Sequence, residues 1–166
     1  MDVSQYLEIF LDETNEHLQN LNTQILELES DPENMDNINE IFRAAHSLKG
    51  MAGTMGYKRM QNLTHDMENV FSEVRNGNIK VTPEMIDVLF QCLDALDEYK
   101  NNIQETSDEG TNDNENLIKA LNDILQIMLQ AEKYVASLAK SVQEYAICNR
   151  IFESYFDVEF IILLKE

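Results

Sequence analysis

The sequence contains little glycine, proline or cysteine and few basic residues. Its 166 residues include five Gly, two Pro, two Cys and no Trp, and 12 Lys and Arg stand against 31 Asp and Glu, for a formal net charge of −19. The scarcity of Gly and Pro favours a helical protein, and two isolated cysteines indicate a reducing compartment rather than a disulfide framework. The acidic balance argues against nucleic acids and anionic membrane surfaces as partners, because both would repel the chain.

The chain also lacks long hydrophobic runs. The longest, Phe160–Leu164, is too short to cross a bilayer, and residues 1–10 contain acids but no base, unlike a secretion signal. Hydrophobic residues nevertheless make up 43% of the composition, which is typical of a folded globular protein. The sequence therefore predicts a soluble, cytoplasmic protein without membrane insertion, whose partners are proteins or locally recognised ligands.

Apolar residues recur at helical spacing in five segments. They predict helices over about residues 4–29, 34–55, 58–75 and 83–105, and a fifth that opens near Asp113 and keeps its apolar stripe through Leu138. The connections between these segments are short, which is typical of antiparallel neighbours. The predicted fold class is all-α, an antiparallel four-helix bundle with a fifth helix.

The last residues break the helical pattern. Phe156–Leu164 is rich in β-branched and aromatic residues, which predicts a strand-like tail. No other segment of the chain could pair with this strand, and a single exposed strand leaves its backbone groups unsatisfied. We therefore expect residues 1–135 to form one domain, and residues 136–166 to be a linker and the truncated start of a following domain in a longer protein.

One segment, residues 41–60, reverses the charge of the chain, and we call it the basic island. It contains no acid and four bases, namely Arg43, Lys49, Lys58 and Arg59. His46 lies among them, and on a helix Phe42, Lys49, Gly50 and Gly53 share its strip. A glycine inside a helix costs about 1 kcal/mol relative to alanine. Glycines at this strip therefore indicate that another surface approaches His46 closely.

A second polar strip lies on the predicted third helix, at His65 and Glu68. If the second and third helices pack antiparallel, a carboxylate there can accept the Nδ1–H of His46 and leave Nε2 as the nucleophilic nitrogen. Lys49 would then neutralise charge on a group bound to Nε2, as a lysine does for phosphate. This arrangement suits a histidine that accepts and passes on a phosphoryl group.

Other interpretations of the same residues remain open. A metal site at His46, His65 and Glu68 would need Glu-x-x-His pairs from several helices, whereas the order here is His-x-x-Glu, once, beside a lysine that repels cations. Nucleotide-binding motifs are absent, and the glycines at 50–56 follow a helix rather than a strand. An acidic helical adaptor would need no glycines beside a histidine. Solvated surface charge is the competing interpretation of Lys58 and His65, and His17 is interpreted as a residue without a partner.

The segment Phe42–Tyr57, with the sequence FRAAHSLKGMAGTMGY, resembles the motif of the histidine phosphotransfer (Hpt) domain of the chemotaxis histidine kinase CheA. Leu63–Asn69 is similar to the next helix of that family, and the opening of the chain, with Leu7, Phe10 and Leu21, resembles the start of the kinase. The resemblance covers roughly residues 1–125. The sequence departs from the family at Met51, where a small residue is common, and at Met55, two residues before Tyr57, in a stretch where aromatic residues are usual.

The resemblance implies a role for each matching residue. His46 would be the phosphorylated residue, Lys49 would support it and Glu68 would hydrogen-bond its ring. The remaining implied residues are His65 in the same polar network, and Gly50 and Gly53, which would keep the docking surface open. The charge pattern adds Arg43 and Lys58, as part of a basic docking face for an acidic regulator site.

The resemblance also implies the partners. They would be the ATP-binding domain of the kinase and response regulators of the CheY and CheB type. This domain would bind no cofactor and no metal of its own, whereas the parent kinase would use ATP with magnesium. The chain would then be the phosphoacceptor of a kinase rather than a self-sufficient enzyme. A free-standing phosphorelay Hpt protein is the alternative.

Overall fold

The computed structural model describes the backbone of residues 3–163, and side chains for residues 5–126 and part of 130–150. These residues form five helices: α1 (Val3–Ser30), α2 (Met35–Met55), α3 (Lys58–Arg75), α4 (Pro83–Thr106) and α5 (Glu115–Leu163). The start of α5 and the bounds of α2–α4 agree with the predicted positions to within two residues. The all-α fold class is confirmed.

The chain divides into two compact units, Met1–Gln126 and Ile127–Glu166. In the first unit α2 packs against α1 and α3, and α4 packs against the same two helices. The connections between consecutive helices, at 31–34, 56–57 and 76–82, are short, so consecutive helices run antiparallel. The first unit is therefore the expected four-helix bundle. The domain boundary after residue 135 stays a prediction.

The core of the bundle is built from the apolar stripes of the four helices. Its fully buried side chains include Leu21 and Ile25 of α1, Ile41 and Leu48 of α2, Leu63 and Met67 of α3, and Leu89 and Leu96 of α4. Burying one such side chain contributes about 1.5–3 kcal/mol. Because α2 places Ile41, Ala45 and Leu48 in this core, the face of α2 that carries His46 is left at the surface.

The first turn of α3 is capped by an acid that lies fifty residues further along the chain. Tyr57, the residue before α3, provides no capping side chain. Instead the Glu109 carboxylate, only 7% exposed, accepts the backbone N–H of Arg59 at 2.9 Å and that of Met60 at 3.0 Å. A carboxylate at a helix N-terminus satisfies free N–H groups and interacts favourably with the helix dipole. This contact ties the connection 107–114 to the start of α3.

The strand predicted for Phe156–Leu164 is wrong over residues 156–163, because these residues continue α5. Aromatic and β-branched residues lower helix propensity by well under about 1 kcal/mol each. A helix satisfies its backbone groups internally, whereas a lone strand leaves them without partners. Leu164 lies outside the described residues. No helix within 3–163 combines the length and the apolar character that a membrane crossing requires.

Candidate functional site

His46 and Glu68 lie at the same level of the bundle because the connection between α2 and α3 is short. α2 ends at Met55, Gly56 adopts a left-handed conformation with a φ of +86°, and α3 begins at Lys58. In an antiparallel pair that turns at Tyr57, residues eleven positions before and after the turn lie side by side, about 16 Å from it at 1.5 Å per residue. His46 and Glu68 occupy these two positions.

Among the described side chains, the His46 ring is hydrogen-bonded through one nitrogen only. Its Nδ1 lies 2.9 Å from Oε1 of Glu68, and the His46 side chain is 63% exposed against 13% for Glu68. Because a carboxylate only accepts hydrogen bonds, the proton of a neutral imidazole lies on Nδ1. Nε2 therefore carries a lone pair in a side chain open to solvent. The contact predicted between these two residues is present.

Lys49 completes a group of three charged or ionisable side chains. Its Nζ forms an ion pair with Oε2 of Glu68 at 2.5 Å, while Oε1 of the same carboxylate faces Nδ1 of His46. Burial alone would raise the pKa of the Glu68 carboxyl, but the hydrogen bonds from His46 and Lys49, with their charges, outweigh it and lower the pKa below its ordinary value of 4.5. Glu68 is thus an anion at neutral pH. Glu68 therefore contacts both His46 and Lys49, the lysine that helical spacing predicts beside His46.

His65 lies apart from this group. Its Nδ1 is 3.4 Å from Nδ2 of Asn69 and 3.4 Å from Oδ1 of Asp66. Among the residues with described side chains, no hydrogen bond or ion pair joins His65 to His46 or Glu68. Three residues before Glu68, it is turned about 60° from it around α3. The shared network implied for His65 is not formed, and the same described side chains contain no cluster suited to a metal ion.

The two glycines beside His46 have different surroundings. A Cβ built on Gly50 would meet nothing within 4 Å, so the surface one turn after His46 is open. A Cβ on Gly53 would lie 2.6 Å from Nε2 of the Gln61 side chain. Gly53 therefore makes room for a side chain of α3, while Gly50 is the one that leaves space for another molecule.

The bases of the island also fall into two groups. Arg43 and Lys58 are exposed, with Arg43 paired to Glu40 at 2.5 Å and the Lys58 Nζ 3.2 Å from Oε1 of Gln61. Arg59 is instead directed to the connection before α5, where its Nε lies 2.5 Å from Oδ1 of Asp113. Arg43 and Lys58, the two bases assigned to docking, are thus the ones available at the surface.

A groove of about 560 Å³ runs between α1 and α2 and reaches His46. Its lining combines apolar and polar side chains, among them Tyr6, Ile9, His17, Gly50, Met51 and Met55. Tyr6 and Ile9 are exposed in spite of their size. His17, interpreted from the sequence as a residue without a partner, lies along the same groove as His46. The groove can receive side chains of a partner next to the imidazole.

An aromatic contact between Phe42 and His46, which the helical spacing placed on one strip, completes the site. The rings of Phe42 and His46 are inclined by 19°, with 6.2 Å between their centroids. The guanidinium carbon of Arg75 lies 4.0 Å from the centroid of the Phe42 ring. The spacing of four residues between Phe42 and His46 was visible in the sequence. The contribution of Arg75, from the end of α3, depends on packing between helices.

Comparison with known sequences identifies a family. The sequence profile of the Hpt domain family matches residues 5–99. The chemotaxis protein CheA of Bacillus subtilis is 47% identical over 108 residues, which are 65% of this chain and 16% of that protein. The CheA of Halobacterium salinarum is 42% identical over 106 residues, again 16% of its length. The chain thus spans about a sixth of the length of these curated relatives.

Solved structures agree with the sequence comparison. The CheA phosphotransferase domain from Thermotoga maritima is 48% identical with a TM-score of 0.60, covering 62% of this chain and 98% of that domain. A solution structure of the histidine phosphotransfer domain of CheA is 41% identical with a TM-score of 0.67, covering 73% and 92%. The phosphorylated P1 domain of CheA3, in complex with CheY6 from R. sphaeroides, has a TM-score of 0.67 at 21% identity, which shows a shared fold; the match covers 74% of this chain and 97% of that one.

Proposed function

Because this chain belongs to the family of histidine phosphotransfer (Hpt) domains, and within it to those of CheA, we propose that it is the phosphoryl carrier of a chemotaxis two-component system. His46 accepts the γ-phosphoryl group of ATP from a kinase catalytic domain and passes it to an aspartate of a response regulator. The observation that carries this proposal is the contact of 2.9 Å between His46 Nδ1 and Glu68, which leaves Nε2 of an exposed ring as the nucleophile.

In the first step the lone pair of Nε2 attacks the γ-phosphorus of ATP. The Nε2–P bond forms, the bond from phosphorus to the β–γ bridging oxygen breaks, and ADP leaves with that electron pair. The ring retains the proton on Nδ1 and becomes positively charged as the new bond forms. The Glu68 carboxylate lies where that charge develops, so it stabilises the transition state more than the ground state.

In the second step a carboxylate oxygen of the regulator attacks the phosphorus. The Nε2–P bond breaks, its electrons return to the ring, and an acyl phosphate forms on the aspartate. The imidazole is then neutral again with the proton still on Nδ1, so the carrier needs no net proton transfer to reset. Lys49, held at 2.5 Å from Glu68, offsets negative charge on the phosphoryl group in both steps.

The charge of the surface around His46 is complementary to protein partners with an acidic docking surface. Arg43 and Lys58 are exposed on a chain whose net charge is −19, and Gly50 leaves the approach to the ring open. Complementary charge guides association and disfavours wrong approaches. We assign the docking face to response regulators of the CheY and CheB type. ATP with magnesium belongs to the parent kinase in this proposal, and the cytoplasm is where its partners would meet it.

Labelling with a CheA catalytic fragment and γ-labelled ATP tests the proposal. The wild-type chain should take up phosphate in an acid-labile, base-stable form, as expected for a phosphoramidate, and His46→Gln should abolish it. His17→Gln and His65→Gln are matched controls that each remove another histidine and should retain the label. Labelling of His46→Gln at the wild-type level would overturn the proposal.

A further inference from the structure

The hydrogen bond to Glu68 does not by itself define the orientation of the His46 ring. The contact between Nδ1 and Oε1 fixes one ring atom, but an imidazole can still tilt about that atom. The His46 side chain is 63% exposed, so core packing does not restrict the tilt. Transfer requires Nε2 to point along the line of attack, so a second contact that limits this tilt would favour the reaction.

Phe42 provides such a contact. It precedes His46 by one helical turn on α2, and residues at this spacing lie on one face of a helix. The ring planes differ by 19° and the centroids are 6.2 Å apart, within the range of about 4.5–7 Å in which offset aromatic rings attract each other. A nearly parallel neighbour opposes tilting of the imidazole and leaves movement within its plane unaffected. The hydrogen bond restricts that remaining movement.

Phe42 is held in turn by a residue of α3. The guanidinium carbon of Arg75 lies 4.0 Å from the centroid of the Phe42 ring, a cation–π contact. Arg75 is the last residue of α3, where the helix dipole stabilises a positive charge. α3 therefore acts on His46 at two points, directly through Glu68 and indirectly through Arg75 and Phe42.

The geometry points to Phe42 and Arg75 as positioning residues for the transfer at His46. Phe42 limits the tilt of the imidazole so that Nε2 faces outward, and Arg75 keeps Phe42 in its stacked orientation. This inference rests on the proposed function, since it concerns the same nitrogen. Both residues act through His46 and not on the phosphoryl group.

The inference has a spectroscopic readout that needs no kinase. In the unphosphorylated chain the ring current of Phe42 should shift the carbon-bound proton resonances of the His46 ring relative to those of an unstacked histidine. Phe42→Leu should remove this displacement, and Phe42→Tyr, which keeps the ring, should retain it. Circular dichroism and thermal melts establish that each variant is folded.

Kinetics with a CheA catalytic fragment provide the second readout. At a saturating concentration of the chain, Phe42→Leu should lower the phosphorylation rate about two- to tenfold, the effect of losing one aromatic contact. The KM of the kinase fragment for the chain should stay within twofold of the wild-type value, because docking is unchanged. Phe42→Tyr should restore the rate. Arg75→Gln should lower the rate less than Phe42→Leu does. Lys80→Gln is the control, because it removes an exposed base that pairs with Glu33, and it should leave the rate unchanged.

The outcomes separate this inference from the proposed function. Retained label in His46→Gln would refute the function, whatever Phe42 does to the resonances. If His46→Gln abolishes label while Phe42→Leu is phosphorylated at the wild-type rate, the function stands and the positioning role is refuted. A raised KM at an unchanged saturating rate would also refute it, because Phe42 would then be a docking residue.

Discussion

Replacing Glu68 with alanine should slow the phosphorylation of His46 by about 10- to 100-fold. The variant loses the acceptor 2.9 Å from Nδ1 and the negative charge that stabilises the ring as it becomes positive. A hydrogen bond to a charged group contributes about 1.5–3 kcal/mol, and each 1.4 kcal/mol in the barrier is about tenfold in rate. The proton on Nδ1 is no longer held either, so part of the population has the wrong tautomer.

Glu68→Gln divides this effect into two parts. Its amide oxygen can still accept the Nδ1–H, but the charge is gone, so its rate should fall between those of the wild type and Glu68→Ala. Glu73→Ala is the matched control, since Glu73 is a carboxylate of the same helix whose side chain contacts Asn78. Its phosphorylation rate should stay within twofold of the wild type.

Single-turnover labelling with a kinase fragment measures these rates, and circular dichroism establishes that the bundle is folded. Glu68 lies at the edge of the core, so its loss should leave the helical content unchanged. Wild-type kinetics in a folded Glu68→Ala variant would show that the carboxylate contributes nothing to the reactivity of the His46 ring.

Four further predictions concern charge, space, capping and pH. Arg43→Glu should lower both the rate of association with a response regulator and the salt dependence of that rate, as measured by stopped flow. Both effects should be larger than those of Glu29→Lys, and equal effects would contradict a basic docking face. Gly50→Ala should raise the free energy of unfolding by about 1 kcal/mol, because the added Cβ meets no neighbour and alanine favours the helix. A variant that is less stable than the wild type in urea denaturation would contradict an open surface at Gly50. Glu109→Ala should lower the free energy of unfolding by about 1–2 kcal/mol through loss of the α3 cap, and an unchanged urea midpoint would argue against that cap. Because the pKa of Glu68 is lowered in the folded state, this residue contributes stability that is present above pH 4.5 and is lost as the pH falls through its folded-state pKa. Glu68→Gln should therefore lose less stability than the wild type when the pH is lowered.

The bundle and the centre of the site could be predicted because both depend on short-range rules. Helical spacing placed Lys49 and Gly50 on the strip of His46, and a short connection between two antiparallel helices brought Glu68 to the same level. These inferences need only 3.6 residues per turn and the direction of the chain. They do not depend on side-chain rotamers.

The contacts that the sequence did not reveal join residues far apart in the chain. Glu109 caps α3 from fifty residues away, and Arg75 reaches Phe42 across two helices. Whether such side chains meet depends on loop paths and rotamers, which no local pattern encodes. The contacts of His65 differ from the implied ones for the same reason, since its ring lies near Asn69 and does not contact His46.

The C-terminal residues show a different limit of prediction from sequence. The aromatic and β-branched residues of 156–163 suggested a strand, yet these residues are part of α5. Strand propensity expresses how well a side chain fits a pleated sheet that other strands supply. Without a partner strand, the internal hydrogen bonds of a helix decide the outcome.

In the proposed function, Nε2 of His46 carries the phosphoryl group while Nδ1 keeps its proton. The most direct test is an NMR measurement of the coupling between phosphorus and ring nitrogen in the chain labelled with ¹⁵N-histidine and phosphorylated by a kinase fragment. We expect a phosphorus coupling to Nε2 of one histidine, with Nδ1 of that ring protonated, and we expect this coupling to be lost in His46→Gln. Coupling to Nδ1, or to a histidine that survives His46→Gln, would contradict it.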